Sequence, residues 1–108
     1  MPKIVMLITR KPGLTHAEFR DYYEQVHAPI ARKVLVHMTD YSRKYIAPFP
    51  GQPDPPFDCI TELSFKDAQT LQATMAFGRT PEGAVLPEDE VNFVDREKTQ
   101  VFLATEEH

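Results

Sequence analysis

The sequence predicts an α+β fold of the ferredoxin-like kind: βαββαβ, with a four-stranded antiparallel sheet. Three observations carry that expectation. Four short β-rich runs and two helical stretches follow one another as strand, long helix, strand, strand, helix with helical turns, strand. The 108 residues suit one domain, 1–108, with a core that needs no covalent staples. The first and fourth runs, expected at the centre of the sheet, are apolar on both faces, yet the chain has no further element to cover the second face. A second copy packed sheet to sheet is the economical cover, so a homodimer whose sheets form a dimeric α/β barrel is expected.

Lys3–Thr9 (KIVMLIT) alternates with Val5 and Leu7 to one side and Ile4, Met6 and Ile8 to the other. Arg10-Lys11-Pro12-Gly13 is a turn. Residues 15–37 (THAEFRDYYEQVHAPIARKVLVH) read as one long helix, opened by the capping box of Thr15 and Glu18. Phe19, Tyr23, Val26, Ile30 and Val34 recur at helical period and form the apolar stripe, with His27 on its flank. Pro29 removes the donor for the Gln25 carbonyl and disfavours α geometry at Ala28, so a kink or break is expected there. Such a kink opens space between helix and sheet beside His27. Lys33 and His37 suit the negative end of the helix dipole.

Thr39–Phe49 reads as a second strand, with Tyr41, Arg43, Tyr45 and Ala47 sharing a face and Pro48 marking an edge position. The run PGQPDPP (50–56) holds four prolines and is a stiff surface loop. Phe57–Phe65 alternates, with Cys59, Thr61 and Leu63 on one face and Asp58, Ile60, Glu62 and Ser64 on the other. Asp67 caps a second helix, Ala68–Phe77, with Ala68, Leu71 and Met75 as its stripe and Gly78 as its stop. Pro81 restarts a short helix and Pro87 a further turn. Glu88, Asp89 and Glu90 read as a solvated helix start, anchored by Val91, Phe93 and Val94. Lys98–Thr105 (KTQVFLAT) is the last strand, with Val101 and Leu103 to one side, Phe102 and Ala104 to the other, and both sides expected to be covered.

Composition excludes several function classes. Twelve basic against sixteen acidic residues, net charge −4 and no basic run, argue against nucleic acid or an anionic membrane as partner. No apolar stretch of spanning length and no leader-like start point to a cytoplasmic protein. The single cysteine, Cys59, excludes an internal disulfide and a cysteine-rich zinc site. Its place within a strand suggests an inert buried thiol. The acid cluster lacks a second ligand set, so no metal is expected.

His27 is the residue to watch, with Tyr23 one turn before it. An imidazole suits general acid–base work near neutrality, although half-buried packing accounts for it equally well. Glu62, if its face is covered, must be paired, protonated or catalytic.

RKPGLTHAEFRDYYEQVHAPIARK, FDCITELSFKDAQTL and EDEVNFVDREKTQVFLATE together resemble the EthD family of the dimeric α/β-barrel group, over nearly the whole chain. Phe19, Tyr22-Tyr23 and His27-Ala28-Pro29 carry the most specific part of that resemblance. It implies a ferredoxin-like protomer and a sheet-to-sheet dimer. The family is named for a component of ethyl tert-butyl ether degradation. Related proteins include muconolactone methylisomerases and fungal dehydratases or decarboxylases of aromatic polyketides; the wider group holds cofactor-free monooxygenases and haem-degrading enzymes. The histidine of the methylisomerase-like pattern corresponds to His27, whereas Cys59 matches no catalytic position.

The resulting expectation is a small enzyme without a cofactor, acting on a cyclic or aromatic carbonyl compound as isomerase, dehydratase or monooxygenase in a degradation or secondary-metabolism pathway. His27 is its acid–base group, Glu62 orients the imidazole or shuttles a proton, and Tyr23 donates to an enolate. Phe19, Tyr41, Tyr45 and Ile60 line the space for a hydrophobic small molecule. The alternative is a non-catalytic ligand-binding or accessory protein using the same pocket. Haem bound through His27 has a single supporting residue and no second ligand signature.

Overall fold

The computed structural model describes residues 1–108. The four alternating runs become β1 (Pro2–Ile8), β2 (Asp40–Tyr45), β3 (Cys59–Ser64) and β4 (Gln100–Thr105). They form one antiparallel sheet in the order β2-β3-β1-β4. β1 is central as expected, but its central neighbour is β3, and β4 lies at an edge. Each helical crossover skips one strand, so the strands that end up inside are the first and third. The cover expected on both sides of β4 is absent from the protomer: Val101, Phe102 and Leu103 are 58, 50 and 65% exposed.

Pairing of Met6 with Thr61, and of Tyr41 with Leu63, puts Ile4, Met6, Ile8, Tyr41, Arg43, Tyr45, Cys59, Thr61 and Leu63 on the face that meets the helices. Val5, Leu7, Ser42, Lys44, Ile60, Glu62 and Phe102 fall on the other face by strand alternation.

The long helix forms without interruption, but not as a regular one. It runs as α1 (His16–Tyr22), a π turn (Tyr23–His27) and α2 (Ala28–Val34). The capping box is present in both directions, Glu18 N–H to Thr15 Oγ1 at 3.1 Å and Thr15 N–H to Glu18 Oε1 at 2.9 Å. In place of the expected kink, the turn before Pro29 widens, and the Ala28 N–H donates to the Tyr23 carbonyl five residues back. A π turn takes in an extra residue, so the positions after it are rotated by about 100°. The buried stripe therefore becomes Phe19, Tyr23, His27, Ala28 and Ala31, while Val26, expected inside, is 38% exposed. His27 moves from the flank to the interior.

α3 (Ala68–Phe77) starts at Asp67, whose side chain accepts from the Thr70 N–H at 2.8 Å. It buries Leu71 and Thr74; Met75, expected in the stripe, is 40% exposed because Thr74 takes the inward position. Pro81 begins hydrogen-bonded turns instead of a helix, and α4 (Val85–Glu90) starts two residues before Pro87. Gly83 makes the connection possible: a Cβ there would sit 2.2 Å from the Phe77 carbonyl oxygen. α4 is thereby folded back against the π turn. The chain beyond it is tied down by Lys11 N–H to Phe93 O and Asp95 N–H to Thr9 O, both 2.8 Å. Phe93 and Val94 are buried as expected, whereas Val91 points out. The main core gathers Ile8, Phe19, Tyr23, Ala28, Cys59, Phe93 and Val94, and a smaller one gathers Leu63, Phe65 and Leu71.

Candidate functional site

The π turn, β2, β3 and α4 converge on a small cavity. His27 is 6% exposed and its ring packs against Tyr23 and Phe93, with centroids 5.5 and 4.8 Å away. Its Nδ1 lies 2.9 Å from Asp89 Oδ2. The other Asp89 oxygen accepts from the Tyr22 hydroxyl at 2.6 Å and from Asn92 Nδ2 at 3.3 Å. Burial alone would push the Asp89 carboxyl up, but the bonds from Tyr22, His27 and Asn92 outweigh it and hold the group below its ordinary value. An ionised Asp89 requires the proton on His27 Nδ1, which leaves the lone pair of the neutral imidazole on Nε2. Nε2 makes no hydrogen bond within the protein. No side-chain nitrogen or oxygen is both sealed from solvent and unpartnered, so Nε2 borders reachable space.

His27 also lines a cavity of about 70 Å³ under the π turn, with Tyr23, Tyr41, Thr61, Leu86 and Glu90 in its wall. A chain of hydroxyls crosses it: Tyr41 donates to Tyr23 Oη at 3.0 Å, and Tyr23 Oη is 2.7 Å from Thr61 Oγ1. Burial pushes the Tyr41 phenol up to about 12 and the Tyr23 phenol well above its ordinary value, so both stay protonated donors. Tyr41 and Leu35 also line an open groove of about 440 Å³ on the outside, which makes them the partition between cavity and surface. Glu90 also lines the cavity; its carboxyl makes no hydrogen bond and is raised above its ordinary value by burial.

Of the residues singled out from the sequence, Tyr23, His27 and Tyr41 meet at this cavity. Phe19 and Tyr45 instead border a separate open cleft of about 670 Å³, whose rim includes Pro48 and Asp54 near the proline-rich loop. Tyr45 is tied up: its hydroxyl donates to Glu24 at 2.5 Å, and Arg43 grips the same carboxylate at 2.6 and 3.1 Å.

Glu62 and Ile60 require correction. Alternation along β3 sends both to the face turned away from the helices, so Glu62 cannot reach His27. It bridges Lys44 and Lys3, which hold its carboxyl below the ordinary range. Asp89 occupies the position expected of Glu62. The acid cluster is likewise not simply solvated, since Asp89 and Glu90 both turn inward. No spacing rule could connect Asp89 to a histidine 62 positions earlier. The available signal was Phe93–Val94, an apolar anchor that obliges one side of α4 to face the core.

Cys59 is fully buried, and burial pushes its thiol up to about 11, the profile of an inert packing group. No three His, Cys, Asp or Glu side chains converge as metal ligands. No helix is long and apolar enough to cross a membrane.

Solved structures with the same architecture include an ethyl tert-butyl ether degradation (EthD) family protein from Bacillus halodurans C-125. It is 25% identical, with a TM-score of 0.75 and 99% of each chain covered. An EthD-like protein from Ralstonia eutropha JMP134 is 18% identical, with a TM-score of 0.70, over 95% of this chain and 88% of that one. A dimeric protein of unknown function and ferredoxin-like fold from Bacteroides fragilis NCTC 9343 is 7% identical, with a TM-score of 0.63, over 97% and 95% of the two chains. No curated protein matches the chain significantly. The family model of the EthD domain matches residues 11–97, most of the sequence. The chain belongs to the EthD family.

Proposed function

We propose that this protein is a small acid–base enzyme in which His27 moves a proton next to the carbonyl of a small cyclic or aromatic compound. The observation that carries this reading is the His27–Asp89 contact at 2.9 Å, which fixes the imidazole and leaves Nε2 free on a ring that lines the cavity. An anchored imidazole with a free basic nitrogen is the arrangement general-base catalysis needs. Nε2 takes the α-proton, the π electrons of the carbonyl move onto oxygen, and Tyr41, turning its hydroxyl from Tyr23, donates to the enolate. Returning the proton to a different carbon gives isomerisation. Expelling a β-hydroxyl as water gives dehydration. The cavity is far below the roughly 300–1,000 Å³ of drug-sized sites. It therefore admits only the reacting end of a small molecule, and Leu35 and Tyr41, shared with the outer groove, have to part for a larger body to reach it.

The reading includes a second copy of the chain. The apolar residues Val5, Leu7, Ile60 and Phe102 share the uncovered sheet face, and a similar fold from Bacteroides fragilis is described as dimeric. Two such sheets face to face form a barrel, with each His27 cavity on the outer, helical side.

Deuterium incorporation α to the carbonyl of cyclohexanone in D2O, followed by proton NMR, tests the chemistry. The wild type is expected to exceed the buffer rate, and His27→Ala to lose about 10²- to 10⁴-fold. Equal rates for both would sink the assignment. Saturable binding without any exchange would move the protein to the ligand-carrier class.

A further inference from the structure

Asp89 and Glu90 are neighbours on α4, and successive helical residues point about 100° apart. Asp89 turns its carboxylate to His27 Nδ1, while Glu90 lines the cavity together with His27. The Glu90 carboxyl makes no hydrogen bond, and its one ion pair, with the half-exposed Arg96, is loose at 3.9 Å. A carboxyl placed in a largely apolar wall without a donor is costly to bury. Here it stands at the same cavity as a histidine whose Nε2 is free.

We infer that Glu90 is a second acid–base group of this site, which protonates the carbonyl oxygen of the substrate while His27 removes the neighbouring C–H proton. The inference rests on His27 being the base. It also names the substrate class: an enolisable ketone or lactone, uncharged at its reacting end because Glu90 lines the cavity and Asp89 backs the histidine beside it.

The groups around Glu90 are consistent with that role. Burial raises its pKa and Asp89 raises it further, while His27 and Arg96 act in the opposite direction. The phenols of Tyr23 and Tyr41, also in the cavity wall, are neutral. A substrate that expels water from the cavity strengthens the dominant effect and favours the acid form. A carboxylic acid kept protonated in an apolar site is an effective donor to a developing enolate.

In the forward step the C–H bond breaks and its proton goes to His27 Nε2. The C–H electron pair becomes the new C=C bond, and the carbonyl π pair goes to oxygen, which takes the Glu90 proton. In the return step oxygen gives that proton back to the Glu90 carboxylate, and His27 delivers its proton to the α- or γ-carbon. Atoms and electrons balance with no co-reactant.

The wild type, His27→Ala, Glu90→Ala and Glu90→Gln are compared in two measurements. One is cyclohexanone exchange in D2O. The other is binding of 4-nitrophenol, whose oxyanion resembles an enolate, read from its visible absorbance. Glu90→Ala is expected to lower kcat about 10²-fold with little change in KM, and to weaken 4-nitrophenol binding at least about tenfold. Glu90→Gln, still a donor, is expected to recover binding, with a rate that no longer falls as pH rises through the Glu90 titration.

Wild-type rate and affinity in Glu90→Ala, alongside an inactive His27→Ala, would overturn the role of Glu90 and leave His27 standing. A wild type that binds 4-nitrophenol through Glu90 but exchanges nothing would overturn the base and leave the donor. A wild type that neither exchanges nor binds overturns both.

Discussion

At the scale of single residues, Asp89 and Glu90 are adjacent carboxyls with opposite acidity shifts. Asp89 is held below its ordinary value once the bonds from Tyr22, His27 and Asn92 outweigh burial. Its contribution to stability is therefore present above the unfolded-state value and lost as pH falls through the depressed folded value. Glu90 is raised by burial, so the folded state prefers its acid form. Its cost is absent at low pH and grows as pH rises through the unfolded value toward the raised folded one. Glu90→Gln is accordingly expected to melt higher than the wild type at neutral pH and level with it below about pH 4; calorimetry across that range checks the sign. Asp89→Asn removes the charge that keeps the Nδ1 proton in place. It is expected to lower exchange by at least about 10²-fold in kcat, with KM little changed and the fold intact by circular dichroism. Cys59, fully buried with its thiol pushed up to about 11, is expected to resist aromatic-disulfide reagents in the native protein and to react once unfolded.

At the scale of elements, the π turn decides the site. Deleting Val26, one of its two exposed residues, would leave Phe19, Tyr23, Ala28, Ala31 and Leu35 at regular α-helical spacing, with the same apolar side chains facing the sheet. His27 would then follow Tyr23 by three positions and swing to the flank, away from Asp89. The deletion variant is expected to keep its helix content and fold cooperatively, while losing exchange to the level of His27→Ala. Full activity in that variant would show that the extra residue is not what places the histidine. The same turn separates what was legible in the sequence from what was not. The capping box, the strands and the Asp67 cap obey local rules, and all are present. Pro29 marked the place where regular hydrogen bonding had to fail. Whether the chain kinks or widens there depends on Phe19 and Tyr23 on one side, and Ala28 and Ala31 on the other, all having to face the core. The partner of His27 was hidden for a different reason: Asp89 is brought to it by the tertiary fold, through the tight Gly83 approach and the Phe93 anchor. Glu62 alternated correctly but lies on the far face, and only the placement of both helices on one side reveals that.

At the scale of the whole molecule, both helical layers lie on one side of the sheet, and the other side carries apolar groups around a charged centre. Val5, Leu7, Ile60 and Phe102 share that face with Lys3, Lys44 and Glu62, which are paired with one another and, through Lys3, with Glu106. Pairing offsets part of the desolvation cost of covering these charges, whereas leaving the apolar groups in water forgoes their burial. A second sheet about 10 Å away covers them, and a face of four strands can supply the roughly 1,200–2,000 Å² typical of stable pairs. Phe102, on edge strand β4 and 50% exposed, is the largest apolar side chain on this face and the best single place to break the association. The wild type is expected to sediment at twice the 12.4 kDa chain mass at micromolar concentration. Phe102→Asp sets a carboxylate into the apolar rim. It is expected to weaken dimerisation at least about tenfold and to shift the boundary toward the protomer mass. Because the His27 cavity lies on the opposite side of the sheet, the monomeric variant is expected to retain exchange within about tenfold of the wild type. A wild type that sediments at the protomer mass at micromolar concentration would overturn the pairing while leaving the His27 cavity, which one chain builds by itself, unaffected.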